Sequence, residues 1–280
     1  MSSWPVDRLH GQGPVAVPVT GLRTRCTTRA DICDLGRAMS TIAIVGAGPQ
    51  LGLAIGRRFA AEGFSVAFIA RREAALRELV DVITAGGGEA AAFPADVTDR
   101  PALAAALRDA ERHFGTIDVL EYSPAPSAVD MTSRPVVEAS EVTVESVIPE
   151  LEMYVYGGIT AVQQVLPGML ERGSGTIIAT TGAGSGPMII PQVANAQIAT
   201  AGLRNWLLNL NASVAQRGVY VAHVALAAAI GQGRPNSEPD VIADAYWQLH
   251  QQRTEPELFY QDMPEEQDFR LSDKFLTDAE

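Results

Sequence analysis

Thr41-Ile42-Ala43-Ile44-Val45-Gly46-Ala47-Gly48-Pro49-Gln50-Leu51-Gly52 is the stretch that decides the fold. Its first five residues are apolar or β-branched and read as a strand. The glycines that follow make a turn, and an amphipathic run from Leu51 to about Glu62 reads as a helix, with Gly63 placed to end it. Gly46 suits a tight turn, Gly48 allows backbone to approach a phosphate, and Gly52 lets the helix lie close to the strand. Gln50 and Leu51 then stand at the helix start, where free amides attract an anion. After an apolar strand and before an amphipathic helix, this pattern points to a dinucleotide-binding βαβ unit.

The same alternation continues outward. Strands are expected at 65–70, 89–94, 119–122, 176–181 and 219–226, with a last one at 258–260. Helices are expected at 73–85, from a cap at Thr98 to Phe114, at 142–172 with Pro149 as an interruption, at 196–216 and at 240–251. Strands alternating with helices make an α/β fold, a doubly wound parallel Rossmann-like sheet in a single domain, with its ligand crevice at the strands' carboxyl ends. Residues 39–260 are assigned to that domain and 261–280 to an acidic tail. Residues 1–38, rich in Arg and without apolar period, are expected to be a disordered extension or to precede a natural start at Met39.

The end of the second strand discriminates between cofactors. An acidic residue there would hold the free ribose hydroxyl of NAD(H). This chain has Ala70-Arg71-Arg72, and two guanidinium groups suit a 2′-phosphate, so NADP(H) is preferred over NAD(H).

The 280 residues carry a net charge of −12 with 47 % hydrophobic residues. That supports a sizeable core and disfavours nucleic acid or an anionic membrane as partner. No apolar run is long enough to span a bilayer. Cys26 and Cys33 imply no disulfide framework, and a cytoplasmic location is the simplest expectation. The four histidines have no close spacing, so no metal site is expected.

From Thr41 to about Tyr260 the chain resembles the short-chain dehydrogenase/reductase family. The resemblance rests on the glycine loop, on Ala95-Asp96-Val97 after the third strand, and on the element order. It implies that Asp96 and Val97 contact the adenine ring, that the substrate is a small molecule, and that the chain forms a homo-oligomer, a dimer or tetramer. The departures are as informative. Gln50 stands where the family's middle glycine belongs, and Tyr122-Ser123-Pro124-Ala125 replaces its Asn-Asn-Ala-Gly segment. The family's catalytic Tyr and Lys positions fall on Ala196 and Thr200, its Asn position on Tyr154, and its Ser position near Gly182–Ala183. No Tyr lies between Tyr156 and Tyr220, and Lys274 is the only lysine, so no shift of register restores the pair.

Replacement candidates follow from position. Tyr154 is a neutral phenol able to donate a proton, with a pKa expected near 10. Tyr122 ends the fourth strand, and Thr181 stands ready to orient a carbonyl. Thr200 and Asn195 are candidates for the ribose hydroxyls, with helix-surface polarity the equal alternative. His223, in an apolar strand, reads as a satisfied core residue. The expected function is an NADP(H)-binding oxidoreductase acting on a small organic carbonyl or enone with a non-standard proton donor. The alternatives are a catalytically silent nucleotide-binding pseudoenzyme and a non-redox enzyme on the same fold.

Overall fold

Among the described residues seven segments become the strands of one sheet: β1 (Thr41–Val45), β2 (Ser65–Ala70), β3 (Ala90–Pro94), β4 (Ile117–Tyr122), β5 (Gly175–Gly182), β6 (Val219–Ala228) and β7 (Glu257–Asp262). A computed structural model describes residues 39–262 apart from Ser127 and Pro187. The expectations for residues 1–38 and for the tail beyond Asp262 lie outside the described residues. All neighbouring strands are parallel, in the order β3-β2-β1-β4-β5-β6-β7. The chain reverses its direction of strand addition between β1 and β4, which opens a crevice at their carboxyl ends.

Both faces of the sheet are covered, which is why its central strands are mostly apolar rather than alternating, while the edge strand β7 (ELFYQD) is only partly buried. One face packs on α1 (Leu51–Ala60), α2 (Glu73–Ala85) and α8 (Pro239–Gln252), through Ile44, Phe68, Ile55, Leu76 and Tyr246. The other packs on α3 (Arg100–Phe114), α6 (Gly157–Arg172) and α7 (Ala194–Val214), through Leu120, Leu107, Val162 and Leu203. Two short helices, α4 (Ala128–Ser133) and α5 (Val144–Glu150), lie in the long connection after β4.

Two local expectations are corrected. The cap of α3 is Asp99, not Thr98: its carboxylate accepts from the Ala102 amide, while the amide and hydroxyl of Thr98 donate to Asp96. The single helix expected over 142–172 is instead α5, a π-helical turn (Leu151–Tyr156) and α6. In the π turn the Gly157 amide reaches back to the Glu152 carbonyl, one residue beyond the α-helical partner. That frees the Met153 carbonyl, which accepts a hydrogen bond from the Tyr122 hydroxyl. Thr143 and Ser146 close a capping box at the start of α5.

Candidate active site

The glycine loop has the features that its sequence suggests. Gly46 has φ +90°, and its amide donates to the Ile69 carbonyl at 2.9 Å. A Cβ there would lie 2.6 Å from Pro124 backbone atoms, so this position requires glycine twice over. At Gly52 a Cβ would come 3.0 Å from the Ala47 Cα, showing how tightly α1 abuts the loop. Gly48 is different, because a Cβ there meets nothing within 4 Å. Its requirement comes from outside the protein. Gln50 supplies no side-chain cap and the first turn of α1, which begins at Leu51, contains no acid. The Leu53 amide donates to the Gly48 carbonyl at 2.9 Å, and the other first-turn amides, without a side-chain cap, lie beside open space that fits a pyrophosphate. The turn after β6 closes this end, with Gly231 against the Gln50 side chain.

At the end of β2, Arg71 makes a two-pronged ion pair with Asp130 of α4, at 2.9 and 2.5 Å. Asp130 also lies 3.4 Å from Arg134. Asp96 adds its charge to the field at Arg71. Arg72 is exposed at the N-cap of α2 and makes no ion pair among the described residues. Asp96 holds the turn after β3 through Thr98, and Val97 is buried beside it. The group expected to meet a 2′-phosphate is therefore a guanidinium already opposed by a carboxylate.

Beyond β4 the candidates separate. Tyr122 is 1 % exposed and its hydroxyl is engaged by Met153, so it is a packing residue of the π turn. Tyr154 packs partly buried against the core under α6 and α7. Burial, and then the Glu150 charge, push its pKa upward from the ordinary value, opposed by Arg134. The expected value near 10 is thus corrected upward, and the phenol stays protonated. Tyr156 is exposed, with the Arg100 guanidinium 5.9 Å from its ring centre. The Thr200 hydroxyl donates to the Ala196 carbonyl at 3.1 Å within α7. Asn195 is not free for a ribose. It accepts from the Val137 amide and donates to the Pro135 and Ser146 carbonyls, tying the long connection to α7.

Thr181 is held at the carboxyl end of β5 by two partners, Ser185 at 2.6 Å and His223 at 2.8 Å. His223 is fully buried and satisfied, as read, yet it is also one link in a larger polar chain. Its other ring nitrogen lies 3.1 Å from Glu257. Ser185 and Glu257 carried no signal in the sequence, because only the β6–β7 register sets Glu257 beside His223. Glu121, beside Tyr122 at the end of β4, is buried on the opposite face and hydrogen-bonded by Ser123 and Thr180. Desolvation raises its pKa from 4.5 to about 8, so at neutral pH it is largely a neutral acid. Among the described residues no cluster of His, Cys, Asp or Glu is arranged to hold a metal, and no helix is long and apolar enough to cross a membrane.

The sequence model for short chain dehydrogenases matches residues 40–233. This chain belongs to the short-chain dehydrogenase/reductase family. It is 33 % identical over 137 residues to a fatty acyl-CoA reductase of Mycobacterium tuberculosis, a match covering 49 % of this chain and 45 % of that protein. A 2-(S)-hydroxypropyl-CoM dehydrogenase of Xanthobacter autotrophicus is 29 % identical over 64 % of this chain and 68 % of its own. The chain spans about half the length of the first curated relatives it matches. A metagenomic short-chain oxidoreductase solved with NADP superposes with a TM-score of 0.64 at 23 % identity, over 80 % of this chain and 97 % of that one. Such an identity supports the fold alone.

Proposed function

We propose that this family member is an NADP(H)-dependent oxidoreductase acting on a small organic carbonyl, enone or the corresponding alcohol. The observation that carries the reading is Gly48: the loop keeps open space beside uncapped helix amides at a place where no protein atom needs it. Gly46, Gly48, Gln50, Leu51 and Gly52 would hold the pyrophosphate, Asp96 and Val97 the adenine, and Arg71 with Arg72 the 2′-phosphate. When bound, such a dinucleotide supplies or accepts a hydride. The chain's own residues orient the substrate and move its proton. Tyr154, kept neutral by burial, is suited to donate rather than to accept, and Thr200 offers an acceptor oxygen to the ribose. Relatives named as acyl-CoA and ketoacyl reductases support a carbonyl substrate. A cytoplasmic homo-oligomer acting on a soluble small molecule fits this reading.

Ala196 and Thr200, at the positions of the family's tyrosine and lysine, favour a second reading: a nucleotide-binding pseudoenzyme acting as a sensor or partner subunit. Calorimetry with NADPH and NADH, followed by turnover across a carbonyl and alcohol panel, separates the two. Micromolar NADPH binding with turnover supports the enzyme, and binding without any turnover supports the pseudoenzyme. Failure to bind either dinucleotide overturns both.

A further inference from the structure

Five polar side chains from four elements meet beneath α7. The Thr181 hydroxyl lies 2.8 Å from His223 Nε2 and 2.6 Å from Ser185 Oγ, and Ser185 Oγ lies 3.4 Å from the same ring nitrogen. Ser185 also reaches the Gly182 carbonyl at 3.0 Å. On the other side of the ring, His223 Nδ1 is 3.1 Å from Glu257, whose two carboxylate oxygens are gripped by the Arg204 guanidinium. These residues come from β5 and the turn after it, from β6, from β7 and from α7.

The charges dictate where the protons sit. Arg204 first, and His223 after it, hold the Glu257 carboxyl below its ordinary pKa, so it is ionised and only accepts. A neutral imidazole beside it carries its hydrogen on Nδ1, and Nε2 is left as an acceptor for Thr181. Ser185 has two acceptors within reach, the Gly182 carbonyl and Thr181 Oγ1. A hydroxyl able to switch between acceptors is what a chain of proton transfers needs. Thr181 and Ser185 are themselves buried, and the exposed Gly182, whose carbonyl Ser185 meets at the carboxyl end of β5, is the crevice surface next to them. The far end of the chain opens on a groove. Arg204 and Glu257 line a 790 Å³ groove with Gly186, Leu208 and Phe259.

We propose that Ser185, Thr181 and His223 form a proton relay serving the crevice at the carboxyl end of β5, with Glu257 and Arg204 as positioning residues. The proposal rests on the oxidoreductase reading above. In alcohol oxidation the substrate O–H bond breaks and its proton passes to Ser185 Oγ. The Ser185 proton moves to Thr181, and the Thr181 proton forms a new N–H bond at His223 Nε2. The dinucleotide of that reading would supply the acceptor for the substrate carbon's hydride. Carbonyl reduction runs the same path backwards from the imidazolium. Facing the ring are Thr181 and Ser185, the Glu257 carboxylate and the Arg204 guanidinium. Burial outweighs the carboxylate and keeps the ring's pKa below 6.5, so at neutral pH the relay accepts protons. Oxidation is therefore sustained above that pKa and lost as pH falls through it.

Two measurements on the full chain test the relay. Long-range proton–nitrogen NMR of the ring, assigned with His223→Asn, is expected to show an Nδ1–H tautomer titrating below 6.5. In Glu257→Gln the titration moves to still lower pH. Alcohol oxidation with NADP⁺ is expected to fall at least 10-fold in Thr181→Val and Ser185→Ala, while the NADP⁺ Kd stays within two-fold. The acid limb of the wild-type rate profile should follow the NMR titration. An Nε2–H tautomer overturns the relay, as does an active wild type whose rate and profile are unchanged in Thr181→Val. Silence of the wild type across the panel overturns the oxidoreductase reading and the catalytic use of the relay together.

Discussion

Tyr122 fills the space that any side chain on Gly157 would need. A Cβ at Gly157 would collide with the Tyr122 hydroxyl and come 2.9 Å from the Val97 carbonyl oxygen. The same hydroxyl caps the Met153 carbonyl released by the π turn. Strand β4, the π turn and the start of α6 are thus locked through one phenol, and the turn after β3 closes against the same glycine.

Tyr122→Phe leaves the buried Met153 carbonyl without its partner and should cost about 1–3 kcal/mol of stability. Gly157→Ala overpacks the same point and should cost a similar or larger amount, because a rigid ring and a backbone carbonyl cannot both retreat. Urea unfolding of the two variants checks this. If Tyr122 instead contacts substrate, Tyr122→Phe will lose activity at unchanged stability.

Asp130 makes Arg71 a contested phosphate site. A 2′-phosphate must displace or share with the carboxylate that holds the guanidinium at 2.5 Å. Arg71→Ala should weaken NADPH binding about 10- to 100-fold and NADH binding little, the scale of a lost charge-assisted pair. Asp130→Asn should strengthen NADPH binding several-fold by removing the competing charge. Calorimetry with both cofactors checks the pair. Equal losses for NADPH and NADH in Arg71→Ala would remove Arg71 from cofactor choice.

Much of the fold was legible because apolar strands, glycine turns and amphipathic helices are local patterns. The seven strands fall within about two residues of their expected bounds. The glycine loop was legible for the same reason: Gly46 and Gly52 answer local steric needs, while a Cβ at Gly48 would meet no protein atom within 4 Å. What escaped reading depends on pairs distant in the chain. Arg71 meets Asp130 across 59 positions, and His223 meets Thr181 across 42. Tyr122 looked like a ligand contact because it ends a strand at the crevice. Its partner, a carbonyl freed by a π turn, left no local pattern in the sequence.

Glu121 and His250 give stability opposite dependences on pH. The Glu121 carboxyl titrates near 4.5 when unfolded and near 8 when folded, so between these values the folded chain holds the extra proton. Stability then falls as pH rises, by up to about 1.4 kcal/mol per pH unit for one such group. His250, buried among Phe59, Phe64 and Trp247, has its pKa lowered from 6.5 to about 4 by burial and then by Arg253. Between those values the unfolded chain holds the extra proton, so stability rises with pH. The two slopes oppose each other from about 4.5 to 6.5, and Glu121 acts alone from about 6.5 to 8. Denaturant unfolding should show stability declining over that upper window, and Glu121→Gln should flatten the decline. An unchanged slope in Glu121→Gln would mean that the buried carboxyl is not the group responsible.

Gly46 and Gly48 separate folding from binding within one loop. Gly46→Ala forces a Cβ into the Pro124 backbone at a positive φ, so it should cost both stability and dinucleotide binding. Gly48→Ala meets no protein atom within 4 Å, and Gly48 is not among the positive-φ glycines. Its thermal midpoint should therefore stay within about 2 °C of wild type, since a surface change is worth about ±0.5 kcal/mol. A pyrophosphate seated against that backbone would meet the new methyl group directly, so NADPH affinity should fall about 10-fold or more. Parallel thermal unfolding and calorimetry on Gly48→Ala decide the matter. Full stability with unweakened NADPH binding would place the phosphates elsewhere, and it would remove the observation on which the cofactor assignment rests.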